Sequence, residues 1–167
     1  MFGITPFGMF HTVVSLIALF AGLIALIRYR EIGYERVIGK VYVWFTIGSC
    51  VTGFFIFRHG GFGKPHALGV ITLIVLFSAL AADRKAIFGG LSRYVAVIGY
   101  TLTVFFHLIP GFTETATRIP EGRPLVSGPD APELQAAVGA AFLVFLAVAL
   151  LQALRIRRQR APLPQAA

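Results

Sequence analysis

The chain has 167 residues, 57% of them hydrophobic and only 13% charged, with a mean hydropathy of +0.81. Soluble domains carry roughly 25% charged residues, so this composition excludes an ordinary water-soluble globule and points to a membrane. The formal net charge of +8 raises nucleic acid as a partner, and the placement of the basic residues has to decide that question.

A bilayer core about 30 Å thick takes roughly 20 helical residues to cross. Five apolar stretches meet that demand in chain order, residues 9–27, 41–57, 66–82, 95–112 and 134–154. They predict an all-α integral membrane bundle of five transmembrane helices, forming one domain over residues 1–157. The third stretch is short and is expected to extend into its flanks. The first has no basic residue before it and no small-residue cleavage site after it, so it reads as a retained helix rather than a signal peptide. The fifth, LQAAVGAAFLVFLAVALLQAL, is apolar all round and reads as a peripheral helix that faces lipid or another subunit.

Arg28, Arg30, Arg36 and Lys40 follow the first stretch, Arg84, Lys85 and Arg93 the third, and Arg155, Arg157, Arg158 and Arg160 the fifth. Only Arg58, Lys64, Arg118 and Arg123 fall on the other side. The positive-inside rule then places the N-terminus outside and the C-terminus in the cytoplasm, as for a multi-pass protein of a bacterial inner membrane. The basic excess reads as a topology signal and a contact for anionic lipid on the cytoplasmic side, and nucleic acid drops out.

The connections 28–40 and 83–94 are short, and RHGGFGKP, residues 58–65, is a glycine-rich outer turn. A longer outer loop over 113–133 carries Pro120, Pro124, Pro129 and Pro132. The tail 158–167 is basic, then rich in proline and alanine, and reads as disordered. Cys50, the single cysteine, lies inside the second stretch, where it excludes an intrachain disulfide and reads as a packing residue. Trp44, Tyr42, Tyr29 and Tyr94 are read as an aromatic belt near the cytoplasmic end.

His11, His59, His66 and His107 all fall in the outer half under this topology, with His107 the deepest. An ionisable side chain inside a membrane is costly and is by default a functional hypothesis. In line with His11 at helical spacing stand Ser15, Ala18, Gly22 and Ala25; near His107 stand Tyr100, Thr103 and Gly111; the second stretch offers Thr46, Ser49, Cys50 and Gly53. Such small and polar faces can converge on one interior. Bis-histidine ligation between helices holds b-type haem in many membrane cytochromes, so the favoured expectation is a haem b electron-transfer protein. In that reading His107 pairs with His11 or His66, Arg58, Lys64 or Arg118 meets the propionates, and the redox partner lies in the membrane or the periplasm. His59, in a glycine turn, reads as solvated. Two alternatives are a non-haem copper, zinc or iron site on His107, His11 and His66, and a non-catalytic subunit or assembly factor that packs against other chains or copies of itself. No HExxH spacing supports the metal alternative. Glu114 and Arg118 can pair across one turn if the fourth helix continues past Gly111.

The run HTVVSLIALFAGLIAL, the basic loop after it and GKVYVWFTIGSCVTGFF resemble a family of small bacterial membrane proteins known as a domain of unknown function. A histidine opens the first span of that family and a Gly-basic-x-Tyr motif opens the second; here these are His11 and Gly39, Lys40 and Tyr42. The resemblance spans roughly the first 110 residues and implies a compact bundle of four to five helices, with no activity attached. The family tends to carry histidines in its cytoplasmic connections, where this chain has Glu35 and Leu91 or Ser92.

Overall fold

The computed structural model describes residues 5–57, 61–120 and 123–160. It is all-helical: α1 (Pro6–Tyr29), α2 (Val37–Gly53), α3 (Lys64–Lys85), α4 (Ser92–Arg118) and α5 (Pro132–Arg160), with a short 3₁₀ turn, Gly89–Leu91, before α4. Four of the five are long and apolar enough to cross a membrane, and α2 is the short one at 17 residues. At 1.5 Å per residue α2 reaches about 25 Å. Its end is prolonged by tight turns in which the Phe55 and Ile56 amides donate to the Thr52 and Gly53 carbonyls.

Local chemistry sets the helix ends. Thr5 caps α1 by accepting the Gly8 amide at 3.0 Å, with Pro6 in the first turn, where a missing N–H costs nothing. Arg30 closes α1 in the left-handed region at φ 65°, its amide donating to the Leu26 carbonyl. As expected, α3 extends into both flanks of its apolar stretch. Its N-terminus has His66 at the third helical position, and the imidazole Nδ1 accepts the Gly63 amide at 3.2 Å, as a glutamate does in a capping box.

Several boundaries differ from the sequence reading, among them the end of α5, which runs to Arg160 rather than 154 and takes residues 158–160 of the expected tail into the helix. Helix α2 begins at Val37 rather than 41, because Gly39 lets its first turn lie directly on the loop backbone. A Cβ on Gly39 would stand 2.1 Å from the Gly33 carbonyl oxygen. Helix α4 runs six residues past 112, straight through Pro110. A proline in mid-helix removes one hydrogen bond. Beyond it the Thr113 and Thr117 hydroxyls donate to the Ile109 and Thr113 carbonyls, and Glu114 pairs with Arg118 one turn on. The expected long loop is thereby shortened to residues 119–131.

The helices run alternately up and down: His11 meets Thr52, Ser15 meets Ser49 and Gly22 meets Tyr42 between α1 and α2, while Ala79 meets Gly99 between α3 and α4. Helix α1 packs chiefly on α2 and α3 chiefly on α4; α2–α3 and α1–α4 contacts close the bundle, and α5 lies chiefly on α4, with Gln152 and Arg155 bonded to the Arg30 and Tyr29 carbonyls at the end of α1. Within lipid no hydrophobic driving force separates helix from tail, so close approach through small residues carries the packing. The buried face of α1 is Ala18, Ala21, Gly22 and Ala25. A Cβ on Gly22 would come within 2.9 Å of both the Tyr42 ring and Val104, so α1, α2 and α4 meet at that point.

Candidate functional site

Tyr42 is the centre of the interior. It is fully buried, its ring edge-on to Tyr100 at 6.5 Å and to His107 at 6.3 Å between centroids. This corrects the belt assignment. Tyr42 shares a stripe with Thr46, Ser49 and Gly53 at helical spacing, and that spacing was the signal for an inward face; Trp44, two residues on, does face outward at 62% exposure.

A hydroxyl has one proton to give, and this fixes the direction of most hydrogen bonds here. Thr103 Oγ1 donates to the Tyr100 carbonyl at 2.9 Å, so its 2.6 Å bond with Tyr42 is donated by the tyrosine. The Thr46 hydroxyl stands one helical turn from Tyr42 on α2. It shares a 3.2 Å hydrogen bond with His107 Nε2, donated by the ring or by the hydroxyl according to the tautomer. His107 is 9% exposed and is held through that nitrogen.

The same counting applies to His11. Thr52 Oγ1 donates to the Gly48 carbonyl at 2.8 Å, so the 2.8 Å bond between Thr52 and His11 Nδ1 is donated by the histidine. Ser15 Oγ donates to the His11 carbonyl at 2.8 Å and accepts from Ser49 at 2.7 Å. Nothing is left to donate to His11 Nε2, whose neighbour Ser15 Oγ is 3.5 Å away. His11 therefore presents a bare lone pair on Nε2. The two imidazoles lie within electrostatic reach of each other, and Glu114 lies within reach of His11. The three form a gradient of burial, from the exposed Glu114 through half-buried His11 to His107.

The other residues expected at a haem or metal site are placed differently. His66 is buried between Phe57, at 5.0 Å, and Phe62, at 5.3 Å. Because its Nδ1 accepts from Gly63, its proton sits on Nε2, which has no partner among the described residues. Lys64 is exposed and bonds Asp130 at 3.2 Å, and Arg118 contacts Glu114. Arg58 and His59 lie outside the described residues.

A porphyrin ligated by two histidines needs a flat slot beside each imidazole. At His11 the Ser15–Ser49 bond closes one side, and Gly53 packs so tightly that a Cβ there would lie 3.3 Å from the ring. The residues do not fit a macrocycle at this position. Among the described residues no group of three or more His, Cys, Asp or Glu side chains is placed to hold a metal ion. Two imidazoles fall short of the three protein ligands that a catalytic zinc keeps.

Two groups were missed from the sequence. Asp83, in the last turn of α3, accepts the Tyr34 amide at 3.0 Å and the Tyr100 hydroxyl at 3.4 Å. Gln152, 5% exposed on the otherwise lipid-facing α5, accepts from Thr101 at 3.0 Å and donates to the Arg30 carbonyl at 3.0 Å. A glutamine embedded in an apolar run was the available signal. Fold and site together define a multi-pass helical membrane bundle with a histidine and hydroxyl network inside. Comparison with protein-family models, with curated proteins and with solved structures finds no match to this chain.

Proposed function

We propose that this protein works as a membrane-embedded proton-handling subunit, in which His11 and His107 take up protons from the outer side of the membrane. The observation that supports this reading is the proton inventory around the two imidazoles. Each ring is bonded to a threonine, and His11, whose Nδ1–H is fixed by Thr52, keeps an Nε2 lone pair that no hydroxyl donates to, the form in which a histidine acts as a base. Protons would reach the pair by way of Glu114. The groups that face the two rings are Glu114 from α4, Thr52, Ser49, Thr46 and Tyr42 from α2, and Ser15 from α1. With the N-terminus outside, this end of the bundle lies toward the periplasm, and the arginine-rich end meets the cytoplasmic leaflet and its anionic lipids.

The test is ¹⁵N NMR of histidine-labelled protein in nanodiscs between pH 4 and 8, with a visible spectrum and metal analysis of the same sample. Two imidazoles that are neutral at pH 8, His11 with its proton on Nδ1, and that gain a proton reversibly on acidification, are the expected result. A sharp b-type absorbance band lost in His107→Ala would overturn it in favour of haem. Imidazoles that never titrate, in a sample free of haem and metal, would reduce them to interhelical contacts.

A further inference from the structure

We infer that the basic corner where α1 meets α2 is a binding site for one anionic phospholipid, its phosphate held by Arg28 and Arg36 and an acyl chain lying in the groove between the two helices. This rests on the basic end of the bundle lying at the lipid headgroups, as proposed above, and is independent of the histidines.

Charge is concentrated at this corner. Arg36 lies over the Tyr29 ring at 4.4 Å from its centroid and Arg28 at 5.7 Å, so guanidinium groups from two separate elements share one aromatic ring. Arg155 adds a third, donating to the Tyr29 carbonyl at 3.3 Å. The carboxylate nearest to them is already engaged: Arg93 holds both oxygens of Glu31, at 2.9 and 2.7 Å, while Arg36 stands 3.9 Å away. Glu35, next to Arg36 in the chain, is exposed. Arg28, Arg36, Arg93 and Arg155 set against Glu31 and Glu35 leave an excess of positive charge. A phosphate, with several oxygens to offer, matches guanidinium groups that stacking on Tyr29 already holds in place.

Directly beside this charge is a groove of about 390 Å³ on the lipid side of α1 and α2, lined by apolar side chains that include Val13, Ile17, Phe20, Ile24, Ile38 and Val41. From Val13 to Ile24 the helix rises about 16 Å, close to half of a bilayer core about 30 Å thick. Arg28 stands one turn beyond Ile24 on the same face of α1, and Arg36 caps the turn of α2 that carries Ile38. An apolar groove one leaflet deep, with cations at its mouth, has the shape and charge of a phospholipid. A free phosphate would use the cations and leave the groove empty. A second copy of the chain docked symmetrically here would set the same arginine-rich corner beside itself, like charge against like.

The purified full-length protein, stripped of lipid in detergent, is titrated by native mass spectrometry with phosphatidylglycerol and with phosphatidylcholine of the same chains, and with glycerol phosphate as a headgroup without chains. One phosphatidylglycerol per protein, bound about tenfold tighter than phosphatidylcholine, is expected. Arg28→Ala combined with Arg36→Ala should abolish that preference. Arg157→Ala combined with Arg158→Ala, an equal loss of charge from exposed positions at the end of α5, should leave it intact. Ile24→Trp, which fills the groove near its mouth, should weaken the binding of both lipids, as should shortening the lipid chains; thermal unfolding confirms that each variant is folded. Equal losses from the two arginine pairs would overturn the site in favour of diffuse attraction. Binding that ignores both chain length and Ile24→Trp, or glycerol phosphate that competes as well as the lipid, would overturn the groove as the seat of an acyl chain. A dimer that lipid fails to displace and that Ile24→Trp breaks would assign the groove to a second copy instead. Histidine titration is read separately, so failure here leaves the proton reading standing.

Discussion

The bundle holds its fourth helix and its fifth by different physics. Where α1, α2 and α4 meet, glycine and alanine bring backbones together and the space between is filled by a bonded series of hydroxyls, imidazoles and tyrosines. Where α4 meets α5, the contact is aromatic, with Phe105, Phe142 and Phe145 at 5.5 to 5.9 Å between centroids, and Gln152 the buried polar tie. Nearby, a cleft of about 410 Å³ between the two helices is lined by Ile109, Val138 and Phe142. The first interface has no room for change and its polar groups depend on one another. The second is looser and, Gln152 apart, rests on shape, so substitutions among its apolar residues should be absorbed.

The largest break in this comparison is Gly39→Ala. Its Cβ has no space against the Gly33 carbonyl, and backbone on both sides must shift. A loss of about 3 kcal/mol or more is expected from such overpacking, read by reversible unfolding in mixed micelles. Next is Gln152→Leu, which strands the Thr101 hydroxyl and the Arg30 carbonyl. About 1 kcal/mol is expected, with earlier proteolysis of α5 than of the other helices. Tyr42→Phe keeps the ring packing and deletes one hydroxyl, and should also cost about 1 kcal/mol in the same assay. The smallest effect is expected at Trp44→Leu. That side chain faces outward, and the melting temperature in lipid should stay within the scatter of the wild type. If Tyr42→Phe proved as harmless as Trp44→Leu, the polar interior would be no more cooperative than the aromatic interface.

Much of the interior could be read from spacing. The stripe through His11, Ser15, Ala18, Gly22 and Ala25 does face the bundle, and Thr46, Ser49 and Cys50 are buried on α2. The motif glycine Gly39 and tyrosine Tyr42 each have a packing reason. Tyr42 itself was misplaced because tyrosine near a helix end usually marks the interface; its spacing from Thr46 and Ser49 already put it on the inward stripe, and its bond with Thr103, 61 residues away, confirms that role. His66, expected as a third ligand from its place in the outer half, caps α3 between two phenylalanines, an arrangement that depends on rotamers that spacing does not express.

The sequence by itself determined the class and the number of helices, since runs of apolar residues long enough to cross lipid leave few alternatives to helix. It also determined which faces carry small and polar residues, because helical periodicity is a property of the chain alone. Tertiary structure decided which faces meet, that the histidines share an interior closed by the Ser15–Ser49 bond, and that Asp83 and Gln152 have partners. Those outcomes depend on how side chains from separate helices divide a fixed number of protons and a fixed volume, and no single segment contains that information.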